Sequence, residues 1–138
     1  MPAARRRVTT AIYDLEVTLR ESAPRIWRRV LVPGSATLAR LHKILQALML
    51  WEDYHLYRFE IAGACYAAYE PEFEDEEPVI DAGRTRLADV VREVGTSFVY
   101  VYDFGDDWWH DIVVREIGRP DPRRTYPLCI AGERAGPP

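Results

Sequence analysis

The sequence has few of the features that mark secreted and membrane-spanning proteins. It contains only two cysteines, Cys65 and Cys129, and no apolar signal core follows its basic start. We therefore expect two thiols in a reducing compartment rather than a disulfide. No apolar run approaches the roughly 20 residues that a transmembrane helix needs. These absences predict a cytoplasmic protein that does not cross a membrane.

Motifs for common catalytic chemistry are also missing. The chain contains no glycine-rich phosphate-binding loop, no dinucleotide-binding glycine fingerprint and no nucleophile elbow. Nucleotide hydrolysis, hydride transfer and serine-hydrolase chemistry therefore lack sequence support, and no cofactor is predicted.

Lysine is nearly absent, and the charges are unevenly spread. Lys43 stands alone against 17 arginines. Residues 1–50 hold nine Arg or Lys against three Asp or Glu, whereas residues 51–138 hold nine against nineteen. The basic first third favours an anionic partner, but the acidic remainder would repel DNA over much of the surface. The pattern argues against a protein that coats duplex DNA.

The length and hydrophobic content are those of one globular domain, because 48% of the 138 residues are hydrophobic. We assign residues 1–138 to a single domain. Within it, residues 1–8 are predicted to be a flexible basic tail, residues 70–80 an acidic loop, and residues 118–138 an irregular tail.

Hydrophobic periodicity predicts six strands and two helices. Apolar residues alternate in the strand segments and recur every three or four residues in the helical ones. The predicted strands are 10–20, 25–32, 56–62, 65–69, 97–103 and 108–117, and the predicted helices are 38–50, after an N-cap at Thr37, and 86–94. The order ββαββαββ favours an α+β fold: a mostly antiparallel sheet with both helices packed on one face.

The segment from Tyr102 to Asp111 is the most distinctive in the chain. It places four carboxylates and one imidazole within nine residues: Asp103, Asp106, Asp107, His110 and Asp111. Such a group can bind a hard cation, or pair a carboxylate with a histidine for proton transfer. Asp and Gly are also ordinary turn residues, and an Asp–His pair often only fixes geometry, so a purely structural hairpin is the favoured interpretation.

The three histidines, His42, His55 and His110, are weak candidates for a metal site together with Asp106. Cys129 could complete a zinc set, but none of these residues has the close paired spacing of known zinc motifs. No metal is therefore predicted.

Basic residues near Trp27 suggest another hypothesis. Arginine beside an aromatic ring suits single-stranded nucleic acid, where stacking assists the charge. The residues concerned are Arg25, Arg28, Arg29, Arg40 and Lys43. The alternative is a solvated strand face whose arginine stems cover apolar neighbours.

Several segments together resemble the plasmid pRiA4b Orf-3-like family, some members of which are labelled passenger or resolvase-like proteins of transposons. The matching stretches are Tyr13–Leu19, Pro24–Val32, Leu38–His42, Trp51–Phe59, Phe98–His110 and Pro127–Pro138. The resemblance implies an α+β fold and a bacterial setting linked to mobile elements, without an established activity. Members usually carry a further cysteine where this chain has Gly136, which weakens a cysteine-based metal site. No recombinase catalytic set supports the resolvase label.

The leading hypothesis is a non-catalytic binding or accessory module. Its ligand would be a protein, a peptide or a small anionic molecule, and its binding residues would be Arg28, Trp51, His55, Asp106, Trp108 and His110. The first alternative is a metal-assisted hydrolase or nuclease that uses Asp103, Asp106, Asp107 and His110. The second alternative is single-stranded nucleic-acid binding through the basic first third.

Overall fold

The computed structural model describes residues 10–53, 55–68, 79–103 and 108–133, which form one sheet with two helices. The strands are β1 Ile12–Leu19, β2 Trp27–Pro33, β3 Tyr57–Ile61, β4 Ala64–Ala67, β5 Ile80–Asp81, β6 Ser97–Tyr102, β7 Trp108–Gly118 and β8 Leu128–Glu133. The helices are α1 Leu38–Met49 and α2 Leu87–Val90, and a 3-10 turn spans Ala82–Arg84. The spatial order is β5-β4-β3-β6-β7-β1-β2-β8, and only the β4–β5 pair is parallel. The α+β class with a mostly antiparallel sheet is confirmed.

The predicted order ββαββαββ is wrong, because two further strands make it ββαβββαβββ. β5 is only two residues long, and β8 lies inside the segment 118–138 that the sequence predicts to be irregular. β8 forms because the edge of β2 supplies backbone partners from Trp27 to Leu31, and such pairing overrides a weak local preference. Residues 1–8 and most of the predicted acidic loop lie outside the described residues.

The second helix is much shorter than the predicted segment 86–94. Continuing it would require the Gly95 N–H to bond to the carbonyl of Val91. Instead the Tyr13 hydroxyl donates to that carbonyl at 2.5 Å, and the Gly95 N–H donates to the carbonyl of Val114. Contacts with the sheet therefore end the helix at Val90.

The hydrophobic core lies between the two helices and one face of the sheet. On β1 the residues Tyr13, Leu15, Val17 and Leu19 alternate towards this core and are at most 3% exposed. The apolar stripe of α1 packs against them with Leu38, Leu41, Leu45 and Met49. The N-termini of the helices lie side by side, since the Leu38 N–H donates to Thr85 and the Leu87 N–H to Ala36.

The two cysteines lie near opposite edges of the sheet, Cys65 on β4 and Cys129 on β8. Six strand spacings, roughly 29 Å, separate these strands. A disulfide needs Cα atoms within about 7 Å, so no bridge joins the two. Among the described residues, neither helix has the length and apolarity that crossing a membrane requires.

Candidate functional site

A closed ring of hydrogen bonds, here called the polar ring, joins α1 to β6. His42 and Gln46 face it from successive turns of α1, because residues four apart share one side of a helix. Tyr100 reaches it from β6, and Asp53 from the turn after α1. His42 Nδ1 and Gln46 Nε2 lie 2.7 and 2.9 Å from the Tyr100 hydroxyl. His42 Nε2 lies 2.7 Å from Asp53 Oδ1, and the Asp53 N–H lies 2.9 Å from Gln46 Oε1.

The direction of each bond in the polar ring follows from Asp53, because a carboxylate only accepts. His42 must carry its proton on Nε2 and accept at Nδ1 from the Tyr100 hydroxyl, whose oxygen accepts from Gln46. This arrangement of donors and acceptors requires a neutral imidazole. Burial favours the neutral form, because it lowers the pKa of His42 more than the hydrogen bond to Asp53 raises it. Partial burial alone would raise the pKa of Asp53, but hydrogen bonds from Lys43 and His42 hold it below its usual value.

The polar ring is covered at His42 by an aromatic side chain. The ring of Tyr57 stacks on His42 with centroids 3.6 Å apart and planes 8° from parallel. His42 is 3% exposed and Tyr100 is fully buried. Burial raises the pKa of Tyr57 to about 12 and also raises the pKa of Tyr100. Both phenols therefore stay protonated at neutral pH, and the group of the polar ring that reaches the surface is the Asp53 carboxylate, 25% exposed.

His110 is also fully buried but is satisfied at only one nitrogen. It lies on β7 directly opposite Tyr100, and its Nδ1 lies 3.1 Å from the backbone carbonyl of Tyr100. Nδ1 must therefore carry the proton and donate. Nε2 has no hydrogen-bond partner among the residues described. Burial lowers the pKa of His110 to about 4, so this imidazole is neutral at pH 7.

A cluster of aromatic side chains covers His110. Trp51 stacks on Tyr102 with centroids 5.1 Å apart, and its edge meets the His110 ring at 5.3 Å. Trp108 lies 6.0 Å from Trp51. Trp51 holds this position because its N–H donates to the carbonyl of Gln46 at the end of α1. The cluster separates His110 from solvent, while Trp51 and Trp108 remain half-buried.

Two exposed leucines lie in the chain segment that carries Trp51. Leu50 is 75% exposed and Leu56 is 56% exposed, on either side of Trp51 in the turn between α1 and β3. The His55 side chain is 53% exposed, with Nε2 3.6 Å from Asp103 Oδ2. We call Leu50, Trp51, His55, Leu56 and Trp108 the sheet-end surface.

The backbone around the sheet-end surface adopts conformations that favour glycine. Leu50, Asp53 and Asp103 have φ angles of 60°, 59° and 63°. These are three of the five non-glycine residues with positive φ in the described ranges, the others being Glu21 and Ala62. A left-handed conformation costs roughly 1–2 kcal/mol for such residues, and strained residues cluster at functional sites.

The structure gives Arg28 a backbone-bonding position instead of a place on the sheet-end surface. Its guanidinium donates to the carbonyl of Leu48 at 3.2 Å, to that of Trp27 at 2.8 Å and to that of Glu133 at 3.1 Å. One cation thus satisfies the C-terminal end of α1 and the edge of the sheet. These bonds leave it poorly placed for a ligand.

The predicted Asp/His group is only partly visible. Asp106 and Asp107 lie outside the described residues. Asp103 faces His55, whereas Asp111 is on the opposite face of β7 and binds Arg20 at 2.6 Å. Arg20 lowers the pKa of the Asp111 carboxyl through this bond.

The three histidines gather around Tyr100 and Tyr102 but point to different partners. His42 faces the polar ring, His110 the Tyr100 carbonyl and His55 the Asp103 carboxylate. Among the residues the structure describes, no group of three His, Cys, Asp or Glu side chains could hold a metal ion.

The arginines of the first third are largely engaged within the protein. Arg29 binds Asp14 at 2.5 Å, and Arg25 binds Glu16. On the same sheet face, Trp109 lies between the guanidinium groups of Arg20 and Arg58, at 4.9 and 5.3 Å. In the Arg29–Asp14 and Arg25–Glu16 pairs, carboxylates occupy the positions that the phosphates of a nucleic acid would take. This favours the interpretation as a solvated strand face.

Sequence reasoning did not identify four residues of this region: Gln46, Asp53, Tyr57 and Tyr100. Gln46 carries a usable signal, because it is a polar residue one turn after His42 beside an apolar stripe. Tyr57 and Tyr100 carry no such signal, since aromatic residues alternating along a strand normally indicate core. Their contacts with His42 depend on the pairing of β3 with β6.

The chain is similar to a solved structure, to a bacterial protein and to one family model. The fold matches a solved structure from Methanosarcina mazei Go1, the protein of unknown function MM3350, with a TM-score of 0.85 and 33% identity, covering 95% of this chain and 74% of that one. The uncharacterized protein y4hQ of Sinorhizobium fredii (strain NBRC 101917 / NGR234) is 38% identical over 121 residues, 87% of this chain. The chain spans 57% of the length of that relative. A family model described as plasmid pRiA4b ORF-3-like protein matches residues 11–138. The chain therefore belongs to the plasmid pRiA4b ORF-3-like family.

Proposed function

We propose that this chain is a non-catalytic binding module whose sheet-end surface takes a peptide or protein ligand, in an accessory role associated with plasmids or mobile elements. The observation that carries the proposal is the exposure of Leu50 and Leu56 on either side of the half-buried Trp51. Apolar side chains that converge at the surface mark interaction sites, and aromatic anchors dominate binding energies.

A catalytic role has less support because two of the three histidines, His42 and His110, are enclosed. The hydrogen-bonded series from Asp53 through His42 to Tyr100 resembles a proton relay. It ends at the Tyr100 hydroxyl, which is fully buried and has a raised pKa. His110 is equally buried behind Trp51. A general acid or base must come within hydrogen-bond reach of its substrate.

The ligand is expected to combine an apolar side chain with a basic group. Glu52 and Asp103 border the sheet-end surface, and residues 51–138 carry ten more acidic than basic side chains. Carboxylates attract cations and repel anions. Among the three ligand classes predicted from the sequence, a basic peptide or protein segment is therefore favoured over a small anion.

The rival function is metal-assisted hydrolysis, and one observation favours it. The Nε2 atom of His110 is a buried lone pair with no partner among the described residues, as a metal ligand would be in the absence of its ion. A hydrolytic metal site needs about three protein ligands, and the described residues offer no such group. The binding module is the better-supported function.

Selection from a random peptide display library against the immobilised protein tests the proposal. Enriched peptides should carry a large apolar residue next to Lys or Arg. A labelled copy of one such peptide should bind in fluorescence anisotropy, and Leu56→Asp should weaken this binding about tenfold or more, because it places a charge against the apolar anchor.

Val94→Asp is the matched control, since Val94 is 59% exposed in the turn after α2, away from the sheet-end surface. It should change the affinity by less than about twofold. The proposal fails if no motif is enriched, or if both variants weaken binding equally.

A further inference from the structure

β8 forms one edge of the sheet, and among the described residues no strand pairs with its outer side. Lysine, proline, other charged residues and bulges commonly protect edge strands; Leu128–Glu133 has no lysine or proline of its own, but Pro127 precedes it, Glu133 ends it and its pairing with β2 is bulged. Ile130 on this strand is 42% exposed. The edge therefore presents backbone groups beside an exposed apolar residue, although the carbonyls of Ala131 and Glu133 already accept from Cys129 Sγ and Arg28.

A groove of about 410 Å³ lies beside this edge, between α1 and β8. We call it the α1–β8 groove. Its apolar lining includes Val30, Ile44, Leu48 and Leu128, and two cations, Arg40 and Lys43, also line it. On the α1 side of the groove, the small side chain of Ala47 leaves room for a ligand.

Together, the edge and the groove have the geometry needed to receive an added strand. A strand paired with β8 would continue the sheet, and alternate side chains would project towards α1 into the groove. Strand addition combines backbone hydrogen bonds for affinity with side-chain pockets for specificity. The apolar lining suits aliphatic side chains at those alternate positions.

The charges on the groove wall define the rest of the occupant. Lys43 binds Asp53, whereas Arg40 forms no salt bridge with any described residue and lies exposed on α1. An acidic side chain on the same face of the added strand would meet Arg40. A second copy of this chain fits less well, since pairing through its own β8 would bring the same two cations towards the groove.

We propose that the outer edge of β8 and the α1–β8 groove form a second interaction surface, which binds an extended partner segment with alternating aliphatic and acidic side chains on its groove-facing side. This surface shares no residue with the sheet-end surface and favours a ligand of opposite charge.

The test uses a labelled synthetic peptide, acetyl-Ile-Ser-Glu-Ser-Ile-Ser-Glu-amide, and fluorescence anisotropy with the whole chain at low salt. Isoleucine and glutamate then share one face of the strand. Two matched probes carry lysine in place of glutamate, or N-methyl groups that remove alternate backbone donors. Binding should weaken about tenfold or more with either change.

The protein variants test the same surface. Arg40→Glu should weaken binding of the glutamate peptide about tenfold, whereas Arg84→Glu, on an arginine whose side chain is 89% exposed away from the groove, should leave it within about twofold. Ala47→Trp should block the groove without changing the core. Circular dichroism melting confirms that each variant is folded.

Three results would overturn the proposal. The first is the absence of binding by the wild-type chain at millimolar peptide. The second is equal binding of the N-methylated or lysine probes. The third is a sedimenting dimer that Ala47→Trp dissociates, because a second copy would then occupy the edge. None of these results bears on the Leu56→Asp experiment.

Discussion

The two buried histidines of this protein differ in one respect that decides their roles. Both His42 and His110 contact Tyr100, both are neutral, and both are at most 3% exposed. His42 uses both nitrogens, whereas His110 uses only Nδ1 among the described residues. A satisfied buried polar group stabilises and specifies a core, while an unsatisfied one costs roughly 1–3 kcal/mol. We therefore expect His42 to support the fold and His110 to reduce its stability.

Replacing His42 should have the largest effect. His42→Phe leaves the Tyr100 hydroxyl without its acceptor and removes one of the two side-chain donors to Asp53, the other being Lys43. We expect a loss of about 3–4 kcal/mol in the free energy of unfolding at pH 7.5, measured by urea denaturation. His55→Phe is the control, because its side chain is 53% exposed, and should cost less than about 0.5 kcal/mol. Equal losses in the two variants would contradict a structural role for the polar ring.

Acidification should reduce the stability of the fold through the buried His110. The pKa of His110 is about 4 in the folded protein and about 6.5 in the unfolded chain, so the unfolded state takes up the proton first. Stability should be complete above pH 6.5, fall by about 3 kcal/mol as the pH drops to 4, and level off below that value. His42, with its lowered pKa, adds a loss of the same sign.

His110→Phe isolates this contribution. At pH 7.5 it should change the free energy of unfolding by less than about 1 kcal/mol, because it removes one hydrogen bond and one unsatisfied nitrogen together. Between pH 6.5 and 4 it should lose much less stability than the wild type in urea titrations at each pH. A variant that follows the wild-type pH profile would show that His110 is not the source of this pH dependence.

The smallest effect is expected for Lys43, which borders the polar ring without belonging to it. Its side chain is 67% exposed, so Lys43→Met should cost less than about 0.5 kcal/mol. Removing its positive charge should raise the pKa of His42, since Lys43 lowers it, and proton NMR of the imidazole would measure the change. A pKa that falls would rule out this electrostatic coupling.

Particular residues show how far the sequence could predict the fold. The apolar periodicity of α1 and its Thr37 cap are local, and the observed helix begins at Leu38 with the Thr37 hydroxyl oxygen accepting from the Arg40 N–H at 3.0 Å. The end of α2 and the existence of β8 were not predictable in this way. The hydroxyl of Tyr13, 78 residues from Val91, helps to end α2, and pairing with β2 creates β8.

The candidate site also has a part that the sequence indicates and a part that depends on the fold. The Trp51–Leu56 turn and the start of β7 stand out in the sequence because aromatic residues and histidines crowd there. Nothing local distinguishes His42, bonded at both nitrogens, from His110, bonded at one. That difference arises from Gln46 and Asp53 on one side of Tyr100 and from the strand register on the other.

The sequence by itself determined the family, the α+β class, α1 and most strands, because these depend on motifs and periodicities within about ten residues. Only the tertiary structure decided the polar ring, the exposure of Leu50 and Leu56 and the open edge of β8. The physical reason is range. Hydrogen-bond satisfaction and burial are properties of groups that the fold brings together from distant parts of the chain.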